Sequence, residues 1–128
     1  MTRIGHVALW TTDIDRLSAF WAETFGAEIG ERYDSARRPG FASRFLSLAD
    51  GPTIEIMQGP WIGAPEGMEE RAGYAHLALS LGSREAVDAM ADNAARCGIL
   101  VSPPRMTGDG FYEAVLRDPD GNIIEIMI

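Results

Sequence analysis

One internal repeat constrains this chain more than any other feature. Near the middle it reads Asp50-Gly51-Pro52-Thr53-Ile54-Glu55-Ile56-Met57, and at the end Asp120-Gly121-Asn122-Ile123-Ile124-Glu125-Ile126-Met127. Six of these eight positions are identical, at an offset of 70. The same offset carries His6-Val7-Ala8-Leu9 onto His76-Leu77-Ala78-Leu79. Two copies are too few for a solenoid, which needs at least three stacked units. In a chain of 128 residues they predict one duplicated module folded into a single pseudo-symmetric domain of ordinary size.

Each copy shows the same order of elements. A strand comes first, over 3–10 and 74–81. A helix follows. In the first copy Thr12 is the expected N-cap, with Asp15 three residues on as a capping box. Ile14, Leu17, Trp21 and Phe25 then fall at helical spacing, and Gly26 supplies the left-handed stop. In the second copy Ser83 caps, Val87, Met90, Ala91 and Ala94 form the stripe, and Gly98 ends it. Three strands complete each copy, over 27–33, 41–48 and 52–57, then 99–105, 111–117 and 122–128. Asp50-Gly51 and Pro119-Asp120-Gly121-Asn122 are hairpin signals. The expected fold is therefore α+β: two βαβββ modules, at 1–58 and 73–128, forming a cup-shaped mixed sheet about a pseudo-twofold. The Gly- and Pro-rich stretch within 59–72 reads as the linker. A second irregular stretch, Arg37 to Gly40, interrupts the first module.

Strand parity then sorts the side chains, because alternate residues face opposite ways. Val7 and Leu9 share one face, and so do Leu77, Leu79 and Leu81. These aliphatic faces are natural seats for the helices. His6, Ala8 and Trp10 share the other face, as do His76, Ala78 and Ser80. In the final strands Ile54 and Ile56 oppose Glu55, and Ile124 and Ile126 oppose Glu125. Two imidazoles and two carboxylates are thus expected on surfaces away from the helices.

Composition narrows the chemistry open to them. All 11 basic residues are Arg, against 19 Asp and Glu, for a formal net charge of -8. Without Lys there is no Schiff base and no P-loop lysine. One Cys forms neither an intramolecular disulfide nor a Cys-based zinc knuckle. The acidic balance argues against nucleic acid or an anionic membrane surface as partner. No apolar run approaches the roughly 20 residues of a membrane span. The opening from Met1 to His6 has no apolar signal segment. The expected setting is cytoplasmic and reducing.

A lone strand histidine is usually just hydrogen-bonded, and a lone strand glutamate is often paired with an Arg, here Arg44 or Arg117. The joint pattern points elsewhere. The only two His residues and two in-strand Glu residues sit at one common offset. Burying a bare carboxylate is costly, so it is expected to be paired or metal-bound. If the two sheets curl toward each other, all four side chains converge as nitrogen and oxygen donors. Such a set suits Ni, Co, Fe, Mn or Zn. Four protein ligands leave positions open on an octahedral ion, which is a catalytic arrangement.

The Ile4-Gly5-His6-Val7-Ala8 opening and the ending from Asp118 to Glu125 resemble the vicinal-oxygen-chelate superfamily. That group includes glyoxalase I, bleomycin-resistance, fosfomycin-resistance and extradiol dioxygenase proteins. The resemblance covers essentially the whole chain and implies the paired βαβββ fold. The order His, Glu, His, Glu is similar to the short bacterial glyoxalase I type. By position it implies metal ligands His6, Glu55, His76 and Glu125, with Ni or Co favoured and Zn, Mn or Fe as alternatives. It further implies Glu125 as catalytic base, Glu55 as its symmetric partner, and a homodimer. One departure stands out. Glutathione-using members carry an Arg and an Asn where this chain has Trp10 and Gly59, which puts glutathione in question.

The functional expectation is a metal-dependent, lactoylglutathione lyase-like enzyme moving a proton on a chelated, hemithioacetal-like substrate. The alternative is a protein that sequesters a small antibiotic-type molecule, which the negative charge suits. Arg37, Arg38 and Arg44 read as a solvated cluster or as anion-binding groups. Arg105 to Gly110 reads as a mobile loop or a plain strand connection. Cys97 reads as a small apolar filler. Trp61 and Ile62 are candidates to pack on a partner subunit.

Overall fold

The computed structural model describes residues 1–65, 67 and 70–128. Its elements run β1 His6–Trp10, α1 Ile14–Phe25, β2 Glu28–Ile29, β3 Tyr33–Asp34, β4 Ala42–Ser47, β5 Thr53–Gln58, β6 His76–Ser80, α2 Arg84–Cys97, β7 Leu100–Met106, β8 Tyr112–Arg117 and β9 Ile123–Met127. They form two compact units, Met1–Glu66 and Gly67–Ile128. Glu66, Met68 and Glu69, inside the linker expected at 59–72, lie outside the described residues.

Each unit is one helix against one mixed sheet. The first sheet runs β1-β5-β4-β2, with β3 also on β4; the second runs β6-β9-β8-β7. In both, the His strand lies parallel to the Glu strand, and the remaining pairs are antiparallel. That is the duplicated α+β architecture expected from the repeat. The registers match as well: Ala8 sits beside Glu55, and Ala78 beside Glu125.

The helices seat on the aliphatic faces. Ile14, Leu17 and Trp21 of α1 are buried with Leu46, Ile54 and Ile56. Val87, Ala91 and Ala94 of α2 are buried with Ala114, Leu116, Ile124 and Ile126. Each fully buried Leu or Ile contributes about 1.5–3 kcal/mol. The Trp21 indole is fully buried and lies 5.0 Å, centroid to centroid, from Phe25. This packing leaves the opposite, His-bearing faces exposed.

Local signals account for most boundaries. Gly26 and Gly98 end their helices at φ 68 and 75, the left-handed region that glycine enters without a Cβ penalty. Ser83 caps α2, its side chain accepting from the Ala86 N–H at 3.1 Å. The first helix corrects the expectation of Thr12. Its cap is Asp13, which accepts from the Arg16 N–H at 3.0 Å. The Gln58 side chain, from the end of β5, accepts from the Ile14 N–H at 2.7 Å. A tertiary partner thus meets one of the orphan donors at the start of the helix.

Two strands depart from expectation. The strand expected over 27–33 is broken into β2 and β3, and the break begins at Gly30. There the backbone presses so close to β4 that an added Cβ would stand 2.7 Å from the Phe45 carbonyl oxygen. Strand β7 is irregular in register between Ser102 and Arg105, where Pro103 and Pro104 have no N–H to donate. It tolerates them because it is an edge strand, bonded only to β8.

Candidate functional site

The four residues singled out by the repeat occur as two pairs, one in each unit. His6 Nε2 lies 3.4 Å from Glu55 Oε2, and His76 Nε2 lies 3.2 Å from Glu125 Oε2. The geometry follows from the sheets. Each Glu stands beside an alanine on the neighbouring parallel strand. The small Ala8 and Ala78 side chains let the carboxylate lean across to the imidazole two residues earlier. Neither glutamate is deeply buried: side-chain exposure is 17% for Glu55 and 21% for Glu125. The structure thus places nitrogen and oxygen donors side by side on each helix-free face. Within either unit, no third His, Cys, Asp or Glu joins a pair to form a metal-holding group among the described residues.

The arginines considered as partners point elsewhere. Arg44 lies opposite Ile56, on the helix side of its strand. It donates to the Gly30 carbonyl at 2.9 Å and approaches Asp15 at 3.8 Å. Arg117 donates to the Gly121 carbonyl at 3.4 Å. The repeated carboxylates therefore face imidazoles rather than these guanidinium groups.

The two pairs have different surroundings. Around His6 the walls are aromatic: Phe45 meets its ring edge-on at 5.6 Å. In the second unit, Glu113 of β8 lies across from Met127 and shares the face of Glu125. It is buried at 9% exposure. Burial pushes its carboxyl above the usual carboxylate range; the nearby Glu125 charge adds to this and then Asp109, while Arg105 and His76 oppose it. Sequence reasoning missed Glu113 because its equivalent at offset 70 is Ser43, so the repeat did not mark it. Strand parity alone was the available signal.

The turn before β9 is strongly organised. Asp118 is buried at 4% exposure. Its Oδ1 accepts from the backbone N–H groups of Asp120 and Asn122, both at 2.9 Å, and its Oδ2 accepts from the Asn122 side chain at 2.8 Å. Burial pushes its carboxyl up, against the pull of these bonds. This turn sets where Glu125 enters the sheet.

The other candidates are ordinary or altered. Residues 107–111 form a tight turn, with the Thr107 N–H donating to the Phe111 carbonyl at 2.7 Å. Cys97, the last residue of α2, is exposed rather than packed as a filler. Arg38 and Trp61 are in contact within the first unit, the guanidinium carbon 4.0 Å from the ring centroid. Among the described residues no helix is long and apolar enough to cross a membrane.

Comparison with known proteins bears on this arrangement. A family model described as the Glyoxalase/Bleomycin resistance protein/Dioxygenase superfamily matches residues 3–126. An uncharacterised Pseudomonas aeruginosa protein, PA2024, is 34% identical, over 95% of this chain and 85% of that one. A glyoxylase/bleomycin resistance protein/dioxygenase domain from Frankia sp. EAN1pec superposes with a TM-score of 0.84 at 21% identity, covering 99% of this chain and 91% of that one. The trypanothione-dependent glyoxalase I of Leishmania major gives 0.75 at 19% identity, covering 99% and 86%. Glyoxalase I of Zea mays gives 0.73 at 21% identity; the chain covers only 44% of that longer protein. At these identities the structural likenesses speak to the fold alone.

Proposed function

The chain belongs to the Glyoxalase/Bleomycin resistance protein/Dioxygenase superfamily, and on that premise we propose a metal-dependent enzyme of the glyoxalase I kind. It moves a proton between adjacent carbons of a substrate that presents two neighbouring oxygens. The observation carrying this reading is the repeated imidazole–carboxylate pair, at 3.4 Å in one unit and 3.2 Å in the other. The donors fit a divalent cation, since imidazole nitrogen and carboxylate oxygen suit Ni or Co, and also Zn, Mn or Fe. His6, Glu55, His76 and Glu125 would hold it. When bound, such a cation polarises the two substrate oxygens and acidifies the adjacent C–H.

The chain's own groups do the rest. Glu125 takes the C–H proton at a carboxylate oxygen and returns it to the neighbouring carbon, and Glu55 is its counterpart. His6 and His76 orient these carboxylates through the short contacts described. Phe45, edge-on to His6, gives that imidazole an aromatic neighbour. The substrate class is hemithioacetal-like, with glutathione in question as its thiol because of Trp10 and Gly59, and the protein works as a cytoplasmic homodimer.

The test is metal analysis of protein purified without a His tag, then Ni, Co and Zn uptake after chelation. Stoichiometric uptake, and turnover of a thiol hemithioacetal by the reloaded protein, is the expected result. Failure to take up any of the three ions sinks the reading and leaves small-molecule sequestration in its place.

A further inference from the structure

We infer that Trp10, Phe41, Trp61 and Arg38 form a binding subsite for a flat, unsaturated group bearing a carboxylate or similar anion. The inference rests on the proposed function only for what is done to that ligand; the subsite itself lies wholly within the first unit.

The three rings and the guanidinium make one cluster. Trp10 meets Phe41 edge-to-face at 6.1 Å and Trp61 at 6.4 Å. The Arg38 guanidinium carbon lies 4.0 Å from the Trp61 centroid, 5.8 Å from Phe41 and 6.0 Å from Trp10. All three distances are within the range of cation–π attraction. Stacking engages the planar face of a guanidinium. Its N–H donors lie in that plane, so a stacked Arg can still grip a planar anion with two parallel bonds.

The cluster is built into the backbone. Arg38 sits in a loop closed by three bonds at 3.0 Å: Ser35 N–H to the Phe41 carbonyl, Phe41 N–H to the Arg38 carbonyl, and Arg38 N–H to Ser35 Oγ. Gly59 has no side chain where the Trp61 ring lies; a Cβ there would stand 2.4–2.7 Å from ring carbons. Gly40, at φ 86, gives Pro60 similar room, since a Cβ would fall 2.7 Å from its ring. Two glycines thus allow the turn carrying Trp61 to fold onto the loop carrying Arg38.

Core packing does not account for the cluster. Trp10 is 41% exposed and Trp61 43% exposed, although large aromatics are among the side chains that gain most from burial. A stacked ligand ring would cover that surface. The subsite is also aligned with the His6–Glu55 pair. Trp10 and His6 share a face of β1, four residues apart. At about 3.3 Å per residue they are separated by about 13 Å, and Trp10 by about 7 Å from Ala8, the neighbour of Glu55. An anionic aromatic compound of moderate size therefore reaches the pair while its ring and anion are held at Trp10 and Arg38. That narrows the substrate class to aromatic or conjugated acids carrying the reactive oxygens.

The test uses the full chain after chelator treatment, so that it does not depend on metal. The probe is 2-naphthoate, followed by tryptophan fluorescence and calorimetry. Comparators are neutral 2-naphthamide, the cation 2-naphthylmethylammonium and non-aromatic succinate. Saturable 2-naphthoate binding is expected, with each comparator at least tenfold weaker. Arg38→Gln, and separately Trp10→Ala, should each weaken 2-naphthoate at least tenfold with unchanged circular dichroism. Gly59→Ala should do the same by displacing the Trp61 ring. Absence of saturable binding, equal binding of the amide, tighter binding of the ammonium, or an unaffected Arg38→Gln overturns the proposal. Metal uptake by Arg38→Gln should match the parent protein, so failure here and failure of the metal reading are separate results.

Discussion

Replacing Asp118 with alanine tests how the second unit holds the strand that carries Glu125. The carboxylate accepts three hydrogen bonds of 2.8–2.9 Å inside one five-residue turn. In Asp118→Ala the Asp120 N–H, on a residue that is 7% exposed, loses this acceptor. A buried donor left unsatisfied costs about 1–3 kcal/mol. The two bonds from Asn122, which is more open to water, add about 1 kcal/mol together. Against this, removing a carboxylate whose burial is unfavourable returns about 1 kcal/mol or less. The net loss is about 1–4 kcal/mol. Asp118→Asn keeps an acceptor for both backbone N–H groups and should lose about 1 kcal/mol. The equivalent turn of the first unit supplies a contrast: Leu48 stands in place of Asp118, and Asp50, the counterpart of Asp120, is exposed and accepts from the Gly51 N–H at 2.8 Å. Asp50→Ala should therefore change stability by no more than about 0.5 kcal/mol. Urea denaturation followed by circular dichroism measures all three. Equal losses for Asp118→Ala and Asp50→Ala would refute the view that the ending signature is a stability device for the strand of Glu125.

Further outcomes follow from the same geometry. His76→Ala should abolish stoichiometric metal uptake in equilibrium dialysis while leaving the circular dichroism spectrum unchanged; retention of one ion at unchanged affinity contradicts the ligand assignment. Leu116→Ala, which empties a fully buried position under α2, should cost about 2–5 kcal/mol by denaturation, and a loss below 1 kcal/mol would show the core closing around the gap. For Glu113 the folded carboxyl titrates above its unfolded value. Its contribution to stability is therefore full below the ordinary carboxylate range and falls as pH rises through the raised value. Glu113→Gln should remove that fall, so stability-versus-pH curves of the two proteins should diverge in the variant's favour toward neutral pH; parallel curves contradict the placement.

Much of this arrangement is legible in the sequence because a repeat and strand parity are both local rules. Identical offsets locate the His and Glu strands, and alternation assigns Ile54 and Ile56 to the helix face with Glu55 opposite. What local rules miss is tertiary. Asp13 rather than Thr12 caps α1, and Gln58, 44 positions after Ile14, accepts from the Ile14 N–H. Gly30 lies where the backbone presses against a carbonyl on β4, to which its N–H donates at 2.8 Å. Glu113 escapes notice because duplication marks only what both copies retained. Trp10 and Gly59 stand out in the sequence as two separate substitutions against a glutathione-using pattern. In three dimensions they belong to one feature: Trp10 is a wall of the aromatic cluster, and Gly59 is the space that seats Trp61.

The duplication itself explains why the two halves need not be equivalent. Register, the neighbouring alanine and the imidazole–carboxylate contact are the same in both units, because they depend on strand pairing that the repeat preserves. The positions beside the pair are free of that constraint. Phe45 stands beside Glu55 where Val115 stands beside Glu125, and Ser43 stands where Glu113 does. Aromatic surface gathers around His6 and negative charge around His76. Under the proposed reading the first unit is thereby suited to hold the flat, anionic part of a substrate. Glu113 gives the second unit a second carboxyl on the face of the proposed base, where the first unit has only the Ser43 hydroxyl. Exchanging the two positions tests this directly. Ser43→Glu with Glu113→Ser should shift dependence on the acceptor from Glu125 toward Glu55, read as the relative loss of turnover in Glu55→Gln and Glu125→Gln backgrounds. An unchanged ratio would show that the asymmetry of surroundings does not choose the base.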